Sequence, residues 1–269
     1  MDLIPPKTWN EITLISSFLA DNFHNGRATD LLAICEDEEL QVCLDDYDTY
    51  FDGMLVWDTS RFFIHLNIAR GNIPVTNRGR FSLAHEIGHY FIDAHRLGIR
   101  SGKLPAHPSY SFLIHSDQME READFFAASL LMPAEKLRRL TGGRKFSLDI
   151  IKEVSTEFKV SLTAAAIRFA EVGTHGIMLV FSEGGVVKWI KRSSDFLKLR
   201  IKCEIGSAVP TTSVVGESFL KRNAKYTSVE KLDLEDWFYQ GEWPVRWQLY
   251  EQCFYSDVYN YVISIVWFK

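Results

Sequence analysis

Two histidines four residues apart, with a glutamate directly after the first, stand in the stretch "FSLAHEIGHYFIDAH" as His85, Glu86 and His89. Side chains of these types at this spacing can hold a metal ion and activate water. On a helix, positions four apart lie about 40° apart in azimuth and one turn apart in height, so both imidazoles can aim a nitrogen at one point ~2 Å from each. Glu86 sits beside that seam and faces the open coordination position, where a carboxylate can accept a proton from water. Zinc lowers the pKa of a bound water from 15.7 towards about 7, which yields a nucleophile at neutral pH. The competing reading is three polar residues that happen to fall on one helix, and a third ligand decides between the two.

A catalytic zinc needs that third protein ligand. The extended pattern HExxHxxGxxH is absent, because residue 92 is isoleucine and His95 would stand a helical turn and more out of phase with His89. A third histidine ligand is therefore not expected. A downstream apolar-periodic helix, "MEREADFFAASLLMP", offers Glu120 and Glu122 among small residues that let two helices approach closely. Glu120 and Asp124 are four apart and project together, so Glu120 could bind metal while Asp124 accepts the outward N–H of a ligand histidine and fixes its tautomer. Glu122 points elsewhere on that helix. The alternative for all three carboxylates is an acidic, solvated first turn favoured by the helix dipole.

Elements on both sides must position these residues. Ile12, Ile15, Leu19 and Phe23 recur at helical spacing over residues 8–23, and a short helix can begin at Thr29–Ile34. Three runs rich in Val, Ile and aromatics, "LQVCL", "GMLVW" and "RFFIHLN", predict strands, the last two joined as a hairpin through "DTS". "RGNIPVTNRGR" reads as a loop, after which the His85 helix runs to about Gly98. A long polar segment, 101–118, leads to the Glu120 helix, which Pro133 ends. Two helices, about Leu148–Phe158 and Leu162–Val172, follow, and from residue 175 the texture turns to strands. The expected organisation is residues 1–140 as a catalytic domain, 141–174 as a helical segment and 175–269 as a β-rich domain.

A chain of 269 residues, 46 % hydrophobic, can bury a substantial core. A net charge of −5 does not suit a broad phosphate-binding surface. The segment "MDLIPPKTWN" lacks a signal-peptide pattern, and no apolar run approaches the ~20 residues that span a bilayer, so a cytoplasmic protein without a membrane partner is expected. Cys35, Cys43, Cys203 and Cys253 are scattered without a CxxC pair and read as reduced thiols.

"FSLAHEIGH" and "EREADFFAASLLMP" together, with "FDGMLVW" before them, resemble the ImmA/IrrE family of bacterial metallopeptidase-like proteins over about residues 8–172. The resemblance implies an α+β fold: a zincin-like metallopeptidase domain, a helix-turn-helix-like segment and a mainly β C-terminal domain of GAF-like, sensory or substrate-binding kind. It further implies metal ligands His85, His89 and Glu120, Glu86 as catalytic base, and Asp124 behind a ligand. The activity it implies is that of a zinc endopeptidase cutting a helix-turn-helix repressor of the Xre type, which switches on mobile-element or stress-response genes. Zn2+ suits the ligand types, with Mn2+, Fe or Co also compatible with His₂Glu.

Other features carry less. Tyr90, His107, Tyr110 and His115 are candidates to stabilise a developing oxyanion. "RFFIHLN", with His65, could serve as an edge strand that holds an extended substrate. The helical pair at 148–172 offers only Arg168 for strong contact with bases or phosphates, so direct DNA binding is not expected. The aromatic-rich end, with Trp237, Trp243 and Trp247, reads mainly as core, in part as interface. The rival to the peptidase is a non-proteolytic regulator with a structural or sensory metal that binds a repressor or DNA; the presence of Glu86 favours the enzyme, since a structural site needs only ligands.

Overall fold

The computed structural model describes residues 5–26, 28–104, 108–110, 117–220, 225–239, 247–256 and 261–269. The fold is mixed α+β and divides into two compact units: Met1–Leu140 with Lys152–Ala165, and Thr141–Ile151 with Ala166–Lys269.

The first unit opens with helix α1 (Pro6–Asn22), a short antiparallel pair β1 (His24–Asn25) and β2 (Ala28–Thr29), and helix α2 (Leu31–Asp37). The Asp30 side chain caps α2 by accepting from the Ala33 amide. Strands β3 (Gln41–Asp45), β4 (Gly53–Trp57) and β5 (Phe62–Asn67) form a sheet in the order β3-β5-β4. β4 and β5 are antiparallel, with Trp57 opposite Phe62, as the "DTS" hairpin predicts. Phe62, Ile64 and Leu66 alternate into the core. β5 also pairs in parallel with β3, so "RFFIHLN" is the central strand with both edges taken, and the expectation that it accepts a substrate strand is corrected. The parallel β3–β5 pairing, between segments about twenty residues apart, leaves no local mark in the sequence.

Helix α3 (Asn77–Phe91) starts inside the stretch that reads as loop. Thr76 Oγ1 accepts from the Gly79 amide at 3.0 Å, a cap that recruits "NRGR" into the helix. Gly79 permits the turn before it: a Cβ there would meet the Ile73 carbonyl oxygen at 2.0 Å. Residues 82–89 are all buried, for α3 lies against β4 and β5 and against helix α5 (Gln118–Leu131). At Ile92 the backbone turns extended (φ −81°, ψ 105°), and a separate helix, α4 (Asp93–Arg100), begins, so the continuous helix expected to Gly98 is two helices.

Helices α6 (Ala134–Thr141), α7 (Leu148–Glu157) and α8 (Leu162–Val172) follow. Arg168 is buried and pairs with Glu171 at 3.2 Å, which in turn holds Lys191 at 2.6 Å.

The second unit is mostly β. β6 (Ile177–Glu183) and β7 (Val186–Arg192) turn at Gly184-Gly185, whose φ values of +57° and +80° suit a two-residue hairpin. Helix α9 (Val214–Leu220), β8 (Glu230–Leu232), the short α10 (Leu234–Trp237), β9 (Leu249–Ser256) and β10 (Tyr261–Phe268) complete an antiparallel sheet in the order β7-β6-β10-β9-β8. Met178, Val180, Trp237, Phe238, Leu249 and Val266 are among its core residues. Buried Glu251 accepts from Ser264 Oγ at 2.6 Å, Trp237 Nε1 at 3.0 Å and the amides of Val214 and Val215 at 3.0 and 3.2 Å. Burial raises its pKa, and these donors offset only part of the rise. Trp247 is partly exposed, and Trp243 lies outside the described residues. Among the described residues, no helix is long and apolar enough to cross a membrane.

Candidate metal centre

α3 places His85 and His89 one turn apart, and α5 brings Glu120 across to them. The two Nε2 atoms lie 3.0 Å apart. Glu120 reaches His85 Nε2 at 3.4 Å through Oε2 and His89 Nε2 at 3.2 Å through Oε1. The ligand atoms of all three lie within 4.8 Å of one another, and all three residues are buried. Ligands about 2 Å from a tetrahedral ion stand about 3.3 Å from each other, so these separations fit such a centre.

The electrostatics point the same way. Burial alone would lower the pKa of His85, yet hydrogen bonds to Asp124 and Glu120, with the charges of Asp124 and Glu86, raise it well above 6.5. The surrounding carboxylates thus draw positive charge to this point, a proton or a cation. The donor set of two imidazoles and one carboxylate fits a divalent metal.

The outward nitrogens have partners as well. His85 Nδ1 lies 2.9 Å from Asp124 Oδ1. His89 Nδ1 lies 3.2 Å from His95 Nδ1, and His95 Nε2 lies 3.1 Å from Glu122 Oε2. Burial, with His89 acting in the same sense, pushes the pKa of His95 down to about 4, so it is a neutral imidazole. Neither residue is marked by the sequence as a support for His89. Continuing α3 puts His95 out of phase, whereas the chain breaks at Ile92 and His95, in α4, meets His89; Glu122 points away from the ligand set, as expected, and meets His95. Asp93, an acidic residue suited to a helix start, was the available signal.

Glu86 is fully buried and faces a small gap bounded by Asp52, Gly53, Ser82, Ser109 and Tyr110. Asp52 Oδ1 accepts from Arg70 Nε at 2.9 Å, Arg78 at 2.7 Å and Asn72 Nδ2 at 2.8 Å, and Asn72 Oδ1 accepts from Ser82 Oγ at 2.7 Å. Ser109 bridges Gly53 at the start of the β4 edge, its amide donating to the Gly53 carbonyl at 2.9 Å.

Of the oxyanion candidates, the Tyr90 hydroxyl donates to Glu38 at 3.0 Å and the Tyr110 hydroxyl to the Tyr50 carbonyl. His107 and His115 lie outside the described residues. His65 Nδ1 lies 2.7 Å from the Tyr47 hydroxyl, on the face of β5 opposite the buried Ile64 and Leu66. Burial lowers the pKa of His65.

Comparison with curated proteins gives no match. Among solved structures, a Mycobacterium tuberculosis transcriptional regulator aligns with a TM-score of 0.58 at 9 % identity, covering 97 % of this chain and 76 % of that one. At that identity the likeness is one of fold. The family model of the IrrE N-terminal-like domain, Peptidase_M78, matches residues 75–170, a span that holds both α3 and α5. This chain therefore carries, over residues 75–170, a metallopeptidase-family domain of the IrrE N-terminal-like kind, in keeping with the ImmA/IrrE resemblance of its sequence.

Proposed function

We propose that the protein is a cytoplasmic zinc endopeptidase that cuts a regulatory protein, a helix-turn-helix repressor of the Xre type, in mobile-element or stress-response control. His85, His89 and Glu120 are the proposed ligands, with Asp124 orienting His85. The observation that carries the reading is Glu86: a buried carboxylate that lines a small gap together with the ligand residue His85 has a use in catalysis that a structural site does not need.

A zinc ion held by the two imidazoles and Glu120 supplies Lewis acidity and a water of lowered pKa. The residues do the rest. Glu86 takes the proton released as water attacks the scissile carbonyl, and the same carboxyl returns it to the leaving amine. Burial of Glu86 keeps bulk water from competing for that proton.

The helical pair at 141–174, helix-turn-helix-like in sequence, serves packing or substrate docking in this reading; supporting it, Arg168 is buried and engaged with Glu171. The β-rich residues 175–269 act as a sensory or substrate-binding domain of GAF-like kind in this reading; their antiparallel sheet supports the mainly β class.

The test is to incubate the zinc-loaded protein with Xre-type repressors encoded beside it and to look for a defined cut. Cleavage that stops with chelator and falls by about 10²–10⁴ in Glu86→Gln, with metal retained, is expected. Bound zinc without cleavage, together with a DNA gel shift, would transfer the argument to the non-proteolytic regulator.

A further inference from the structure

We infer that His95 and Glu122 are positioning residues that orient His89 for the metal centre, a relay that rests on the zinc reading above. His89 turns Nε2 towards His85 and Glu120, which leaves Nδ1 facing away, 3.2 Å from His95 Nδ1. Where two ring nitrogens meet, one must donate and the other accept. An imidazole that gives Nε2 to a cation carries its proton at Nδ1, so His89 donates and His95 accepts.

That assignment determines the rest of the chain. With Nδ1 accepting, His95 holds its proton at Nε2, which lies 3.1 Å from Glu122 Oε2. The other oxygen, Glu122 Oε1, accepts from Gln118 Nε2 at 2.7 Å. One tautomer at each ring satisfies every contact from His89 to Gln118. A carboxylate behind a ligand histidine fixes its tautomer and raises its basicity. Here the carboxylate acts at one remove, through an imidazole.

The two ligand histidines are backed differently. His85 meets Asp124 directly at 2.9 Å, and that carboxylate is 29 % exposed. The His95–Glu122 pair is buried, at 5 % and 7 % side-chain exposure, so the support of His89 is shielded from solvent. The start of α5 faces two ways: Glu120 towards the centre, Glu122 towards α4 behind it.

The test uses the full chain with zinc, in wild type, His95→Phe, Glu122→Ala, Glu122→Gln and His89→Ala. Zinc affinity is read by competition with a chromophoric chelator, and histidine tautomers of the zinc-loaded wild type by ¹⁵N NMR. We expect His95 as the Nε2–H tautomer, zinc bound about 10- to 100-fold more weakly in His95→Phe and Glu122→Ala, and most of that loss recovered in Glu122→Gln, which keeps an acceptor. An Nδ1–H tautomer at His95, or wild-type affinity in both His95→Phe and Glu122→Ala, would overturn the relay. Should His95→Phe fail to fold, Glu122→Ala and the tautomer decide. Zinc that ignores His89→Ala, or does not bind at all, removes the metal reading and the relay together; zinc that needs His89 but ignores the other variants removes the relay alone.

Discussion

A Cβ on Gly53 would stand 2.7 Å from Oε1 of Glu86 and 3.0 Å from its Cγ. Gly53 opens strand β4 and is buried, and its backbone conformation is one that other residues adopt. Space, and not torsional freedom, makes glycine fit there. The wall of the gap is thus bare backbone set against the carboxylate.

Gly53→Ala follows from that distance. The added methyl has to displace the Glu86 carboxyl, which is the end of a flexible side chain, more readily than the strand. Cleavage should fall by about 10²-fold, the effect of a misplacement near 1 Å, while zinc affinity stays as in wild type. Steady-state cleavage beside chelator competition checks it, and unchanged cleavage would show that the position of Glu86 does not limit the reaction.

Metal content tests the ligand set directly. Protein purified without chelator should carry a single zinc per chain by mass spectrometry, and His89→Ala and Glu120→Ala should each lose it. Glu120 is buried, and its hydrogen bond is among the contacts that raise the pKa of His85, so its replacement also removes that contact. Metal that persists in both variants would place the centre elsewhere.

Gly88→Ala probes the spacing of α3 and α5. A Cβ at 88 would come within 3.1 Å of Phe126 Cβ and Cδ1, in a fully buried seam. Overpacking of this kind costs about 1–3 kcal/mol, offset by roughly 1 kcal/mol from the helix preference of alanine. A net loss of about 1 kcal/mol in denaturant unfolding, with weaker zinc binding, is expected. A more stable variant with tight zinc would mean that Phe126 yields freely.

Acid should act on the second unit through Glu171. Burial would raise its pKa, but Lys191 and Arg168 outweigh it and hold the pKa below 4.5. A depressed folded-state pKa gives stability that is present above the unfolded value and lost as pH falls through the folded one. The gap in unfolding midpoint between wild type and Glu171→Gln should therefore be full near pH 6 and close below about pH 4.5. A gap independent of pH would argue that the ion pairs do not contribute.

What the sequence makes legible here is local. His85 and His89 belong to one helix, so a spacing of four suffices. Glu120 and Asp124 face the same way for the same reason, and their distances to His85 follow once α5 lies on α3. His95 and Glu122 depend on a break at Ile92, where neither glycine nor proline marks the chain, so helical phase carried past that point misleads. The "DTS" hairpin is readable because its strands are adjacent; the central place of β5 is not, because β3 reaches it from a distant segment. "NRGR" looks like a loop because its glycine suggests a turn, whereas glycine at 79 serves close packing within a helix.

The carboxylate of Asp52, shared by Arg70, Arg78 and Asn72, gives the wall beside Glu86 a particular resistance to opening. Asp52 also donates its amide to Ser109 and accepts at its carbonyl from the Asn67 amide. Loosening that corner breaks ionic and backbone bonds at once, so its amide protons should exchange with solvent only when the whole unit unfolds. Under the peptidase function proposed above, the wall beside Glu86 would be fixed in place before a substrate arrives, so the site would select by fit rather than by adapting its shape.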